Sequence, residues 1–200
     1  MITILDYGLG NLGSIKNMLK HIGVEGVISS ALKDIEQANK LILPGVGAFD
    51  SAMNKINESG IRKVLDKKCN EGVPILGICL GMQILLDRSE EGDQDGLGWI
   101  PGAVKKFKKK EQIKIPHMGW NNVNKVRNSD LTKGLLEDSK FYFVHSFHVC
   151  VANQENSILE TFHGTRFDSA IQKGNIYGVQ FHPEKSHKYG MRLLSDFAEI

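Results

Sequence analysis

Over roughly the first ninety residues, short apolar runs alternate with stretches in which apolar residues recur at helical spacing. Ile2-Thr-Ile-Leu5 predicts a strand. Ile15, Met18, Leu19 and Ile22 follow at i, i+3, i+4 and i+7, one face of a helix. A second strand is expected from Val24 to Ile28, and a third at Leu41-Ile-Leu43, stopped by Pro44 and Gly45. Ile61, Val64 and Leu65 mark a further helical face, closed by Gly72. Pro74-Ile-Leu-Gly-Ile78 is a continuous apolar run, as expected of a strand buried on both faces, and Leu80 to Leu86 reads as the helix after it. Such alternation predicts a mostly parallel sheet with helices on both faces.

Beyond about residue 95 the pattern becomes β-rich. Strands are expected at Ala103–Phe107, Phe141–His145, Ile158–Thr161, Ser169–Gln172 and Ile176–Phe181, with a last helix from Tyr189 to Ala198. No repeat, low-complexity linker or composition break divides the chain, so residues 1–200 are read as a single domain. The 25 basic and 23 acidic side chains leave a net charge of +2, which argues against a nucleic-acid binder with a dedicated basic face. Three cysteines, Cys69, Cys79 and Cys150, cannot all pair and form no CxxC motif. The N-terminus lacks a basic region ahead of an apolar one, and the 15-residue uncharged stretch Gly72–Leu86 falls short of the roughly 20 needed to span a bilayer. The expectation is a soluble, cytoplasmic protein.

The chemistry concentrates at a few places. Gly77-Ile-Cys79-Leu-Gly81 sets a thiol between glycines at ±2 on a strand-to-helix junction, the thiol version of a nucleophile elbow. Glycines there relieve crowding at a sharp turn, and a helix start behind Cys79 favours the thiolate. The same pattern also suits a buried cysteine used as a small apolar residue, the reading given to Cys69 and Cys150. His182 alone among the seven histidines has an acid at a useful offset, in His182-Pro-Glu184, where i and i+2 at a strand end point the same way. His145 and His148 have no carboxylate beside them in sequence. His182, Glu184 and His187 have metal-ligand chemistry, but no second cluster completes a site.

Pro44-Gly-Val-Gly47 follows the third strand and is expected at the same sheet edge as the elbow. Its backbone N–H groups, with that of Leu80, can form an oxyanion hole. Gly8-Leu-Gly10-Asn-Leu-Gly13 matches GxGxxG, but the second strand runs into Ser29 and Ser30 without the acid a dinucleotide ribose needs, so it reads as a tight turn. The basic run Lys105–Lys110, followed by Lys114, reads as a solvated edge, with a docking surface for an acidic or phosphorylated ligand as the alternative.

Taken together, Gly77–Gly81 with Gln83 and His182-Pro-Glu184 resemble the class I, or triad, glutamine amidotransferases. Asp6-Tyr-Gly-Leu-Gly-Asn11, Pro44–Gly47, Pro116-His-Met-Gly-Trp-Asn121, Phe143-Val-His-Ser146 and Gln180-Phe-His-Pro-Glu-Lys-Ser186 resemble, more narrowly, the glutaminase subunits of imidazole glycerol phosphate synthases. The resemblance runs end to end. It implies a flavodoxin-like α/β fold, a Cys79–His182–Glu184 triad, oxyanion contacts from Val46, Gly47 and Leu80, and substrate contacts from Gln83, Ser146 and Phe147. It implies no metal or other cofactor. It also implies a heterodimer with a (β/α)8-barrel cyclase that receives the ammonia, and low activity until that partner binds. Two stretches depart from the familiar pattern. Phe147 stands where a tyrosine is usual, and Phe162–Asp168 is unusually basic. The same resemblance covers paralogous subunits that supply ammonia to a sugar amidotransferase in surface-glycan synthesis.

Overall fold

The computed structural model describes residues 1–109 and 113–200. Lys110, the end of the basic run, lies outside the described residues. In chain order the strands are β1 (Ile2–Leu5), β2 (Gly26–Ser29), β3 (Leu41–Gly45), β4 (Ile75–Cys79), β5 (Arg88–Ser89), β6 (Gly102–Lys106) and β7 (His117–Asn122). They continue as β8 (Asn124–Lys125), β9 (Lys140–His145), β10 (Phe147–Val151), β11 (Ser157–Phe162), β12 (Arg166–Lys173) and β13 (Ile176–Val179). The helices are α1 (Leu12–His21), α2 (Leu32–Glu36), α3 (Phe49–Glu58), α4 (Ile61–Asn70), α5 (Leu80–Gln83) and α6 (His187–Glu199).

Five strands pair in parallel in the order β2-β1-β3-β4-β13, and the sheet then turns antiparallel through β12, β10 and β6. β7 and β9 form a separate antiparallel pair. The central parallel strands are buried on both sides, and alternate residues feed opposite cores. Leu41, Leu43 and Ile75 face one core with Ile35, Phe49, Met53, Ile56 and Leu65 from α2, α3 and α4. Ile42, Leu76 and Ile78 face the other, with Ile15 and Leu19 of α1 and Leu193, Leu194 and Phe197 of α6. Burying each of these large side chains contributes about 1.5–3 kcal/mol, which is what holds helices of ten or so residues on the sheet.

Several expectations are corrected. β3 does not stop at Leu43 but runs through Pro44 and Gly45, which pair with Ile78 and Cys79. The helix after Cys79 is one turn, Leu80–Gln83, rather than Leu80–Leu86, so little helix dipole is aimed at the sulfur. β13 ends at Val179, and Glu184 sits in a 3-10 turn, Pro183–Lys185, rather than at a strand end. Proline has no N–H for the ladder, and its fixed φ suits the first residue of such a turn. Gly8-x-Gly10 makes the strand-to-helix turn: the Gly8 N–H donates to Asp6 Oδ1 and Gly10 packs on Pro44 and Gly45. Lys105 and Lys106 lie on β6 with exposed side chains. Among the described residues no helix is long and apolar enough to cross a membrane.

Candidate active site

Cys79 is the last residue of β4, and its backbone takes φ 55° and ψ −110°, a conformation L-residues rarely adopt. Packing on every side maintains this strain. A Cβ on Gly81 would lie 1.8 Å from the Leu43 carbonyl oxygen, and one on Gly77 would lie 2.5 Å from the Gly81 carbonyl oxygen. A Cβ on Gly45, opposite Cys79 on β3, would lie 2.6 Å from the Tyr7 hydroxyl, which donates to the Pro44 carbonyl. Burial pushes the Tyr7 hydroxyl well above the ordinary tyrosine range, and the nearby Cys79 charge adds to this.

His182 lies three residues past the end of β13, the parallel neighbour of β4, and so at the same edge of the sheet as Cys79. Its N–H donates to the Tyr142 carbonyl at 2.9 Å, and its own carbonyl accepts from Ser186 Oγ at 2.6 Å, so the main chain is held at both ends. Nδ1 lies 2.7 Å from Glu184 Oε1, and both side chains are almost fully buried, 3% and 2% exposed. Among the described residues, Nε2 has no hydrogen-bond partner of regular geometry. Burial alone would lower the imidazole pKa. Interaction with the Cys79 sulfur, and then with the Glu184 carboxylate, outweighs it and raises the value to about 10. Low dielectric makes an isolated charge costly here and an opposed pair favourable.

A cleft of about 410 Å³ joins these groups. Cys79, His182, Val46, Gly47, Leu80, Gln83, Ser146 and Phe147 all line it, while Glu184 stands behind His182. Every site residue named from the sequence is therefore in one place. Glu91 and His145 also line the cleft, and Gln180 donates to Cys79 Sγ at 3.7 Å. Sequence reasoning missed these three: Glu91 lies in a polar turn without a motif, and Gln180 is only a neighbour of the histidine motif. The other metal-type residue, His187, stacks on Trp120. Among the described residues no three His, Cys, Asp or Glu side chains converge as a metal site. Cys69 and Cys150 are half-buried, with thiols that burial pushes up.

The model of the class-I glutamine amidotransferase family matches residues 3–200. This chain belongs to the class-I glutamine amidotransferases. The chain is 51% identical over 198 residues to imidazole glycerol phosphate synthase subunit HisH 2 of Methanococcus maripaludis, covering 98% of each. It is 48% identical to subunit HisH of Bdellovibrio bacteriovorus, covering the whole of both. A crystal structure of a glutamine amidotransferase superposes with a TM-score of 0.76 at 21% identity, over 99% of this chain and 97% of that one. The fold of this amidotransferase is therefore that of its family.

Proposed function

We propose that this amidotransferase hydrolyses glutamine through Cys79, His182 and Glu184, and that it is the glutaminase subunit of an imidazole glycerol phosphate synthase acting in histidine biosynthesis. The observation that carries the chemistry is a cysteine at a positive-φ elbow sharing one cleft with a histidine whose far nitrogen is held by a buried carboxylate. The full-length similarity to two subunits of that name supports the pathway.

In this reading the Cys79 sulfur attacks the side-chain amide carbon. The oxygen charge that develops is met by the backbone around Val46, Gly47 and Leu80. His182 gives its proton to the leaving nitrogen, which departs as ammonia, and Glu184 keeps the ring oriented. Water, activated by the now neutral imidazole, then opens the thioester and releases glutamate. Gln83, Ser146 and Phe147 hold the substrate. Glu91, the one acid lining the cleft among the described residues, suits the substrate's α-ammonium.

The pH dependence follows from the raised His182 pKa. A folded-state value near 10 against an ordinary 6.5 means the imidazolium's stabilising contribution is complete below about pH 6.5 and disappears as pH rises through 10. We expect kcat to fall on the alkaline side only as pH approaches 10, and Glu184→Gln to move that fall to lower pH. An alkaline limb near pH 7 that Glu184→Gln leaves in place would remove His182 from this role.

Ammonia in neutral water is mostly protonated and no longer nucleophilic, so a subunit that makes it should deliver it under cover to a (β/α)8 cyclase. A docking face is available next to His182: Met118 and Trp120 on β7 are 62% and 44% exposed. Trp120 packs edge-on against Tyr142, whose carbonyl holds the His182 N–H, and Lys185 lies over the Tyr142 ring. Glutamate release should be low for the chain alone and rise at least tenfold with a purified cyclase and its nucleotide. A cyclase proven active with ammonia that gives no rise would assign the ammonia to another acceptor, such as a sugar amidotransferase.

A further inference from the structure

The main-chain carbonyl of Phe147 is a junction between two lines of buried hydrogen bonds. It accepts from Gln83 Nε2 at 3.2 Å and from His145 Nδ1 at 2.7 Å. On one side Gln83 Nε2 also donates to Gln180 Oε1 at 3.1 Å, and Gln180 Nε2 donates to Cys79 Sγ. On the other side His145 Nε2 lies 2.9 Å from His117 Nδ1, and His117 Nε2 lies 3.1 Å from Asn121 Nδ2. Gln83, Gln180, His117 and His145 are all buried.

One arrangement of protons satisfies every link. A carbonyl only accepts, so His145 Nδ1 carries its hydrogen. Burial lowers the pKa of His145 to about 3 and of His117 to about 4, so both rings are neutral. His145 Nε2 is then bare and accepts from His117 Nδ1–H, and His117 Nε2 is bare and accepts from the Asn121 amide. The same carbonyl obliges Gln83 to present its NH2 group, which obliges Gln180 to turn its oxygen to Gln83 and its NH2 to the sulfur. Reversed, the Gln180 amide would set a carbonyl dipole against the thiolate.

We propose that Gln180 is a positioning residue whose amide N–H stabilises the Cys79 thiolate, its orientation imposed by the Phe147 carbonyl through Gln83, with His145, set in turn by His117 and Asn121, as the second donor that holds that carbonyl in place. The proposal rests on Cys79 being the nucleophile. The His182 imidazolium also acts on the sulfur through its charge, Tyr7 nearby stays neutral, and Glu91 lines the same cleft. An N–H···S bond adds to them a fixed donor that does not titrate.

Two measurements on the full chain test it. The first is the rate of Cys79 alkylation by iodoacetamide against pH, with glutamine hydrolysis assayed in the same samples. Gln180→Leu and Gln180→Glu should each cut the rate at pH 7 by about tenfold and shift the profile to higher pH. An unchanged profile in both folded variants overturns the proposal. Wild-type chain that keeps hydrolysing glutamine after Cys79 is alkylated would instead overturn the nucleophile assignment. The second is long-range 1H–15N NMR of histidine-labelled protein, where His117 and His145 should both be neutral Nδ1–H tautomers, the minor form of free histidine. Asn121→Asp turns the terminal donor into an acceptor and should convert His117 to Nε2–H or to imidazolium. An Nε2–H form of either ring in the wild type also overturns the relay.

Discussion

Cys79→Ala is expected to reduce glutamine hydrolysis to background, while synthesis from added ammonia by the assembled complex continues. In the proposed mechanism the Cys79 sulfur at the elbow is the nucleophile, and nothing in alanine can form the thioester. His182→Ala should cost nearly as much, because a thiol without a base and a base without a thiol fail at the same step. The double variant should then be no worse than the worse single one. Parallel assays of glutamate release and ammonia-driven synthesis decide the matter. Loss of both activities in Cys79→Ala would mean that the residue holds the fold and that the chemistry lies elsewhere.

Gly81→Ala is expected to be severely damaging for a single added methyl group. The added Cβ would stand 1.8 Å from the Leu43 carbonyl oxygen, and neither partner is a side chain that can swing away. Either β3 and β4 separate or the elbow opens, and each outcome takes the Cys79 sulfur out of place. We expect a loss of about 3 kcal/mol or more by urea unfolding, with hydrolysis gone even in the folded fraction. Gly13→Ala is the internal control. It lies in α1 with nothing within 4 Å of the added atom, so about 0.5–1 kcal/mol should be gained. Equal stability losses in the two variants would contradict the crowding that defines the elbow.

How much could be read from the residues alone varies with the physical signal. β4 announces itself because a strand buried on both faces cannot alternate, and Ile75–Ile78 does not. α1 is visible because its apolar face has four members at regular spacing. α2 has five residues and one buried side chain, Ile35, which is too few to show a period. α3 was missed although Phe49, Ala52, Met53 and Ile56 share a face, because the small Ala52 weakens the pattern and its N-cap position holds Ala48, which is not a capping residue; the Phe49 N–H is met instead by the distant Glu91. β7 was missed because His-Met-Gly-Trp-Asn-Asn turns large apolar groups outward and buries His117, the reverse of an ordinary half-buried strand.

At the site, glycine spacing pointed to Cys79 and the short offset to His182 and Glu184, whereas Gln83, Ser146 and Phe147 came only through family resemblance. The His117–His145–Gln180 relay had no local signature at all. Its members come from three segments that only the completed fold brings together.

β13 lies between β4 and β12, and His182 follows it, so a chain emerging from the ribosome displays Cys79 about a hundred residues before His182 exists. Pairing in parallel across such a separation is slow relative to local structure formation. If the proposed triad is the site, the growing polypeptide carries a thiol but no working site during translation, and unfinished subunits do not consume glutamine.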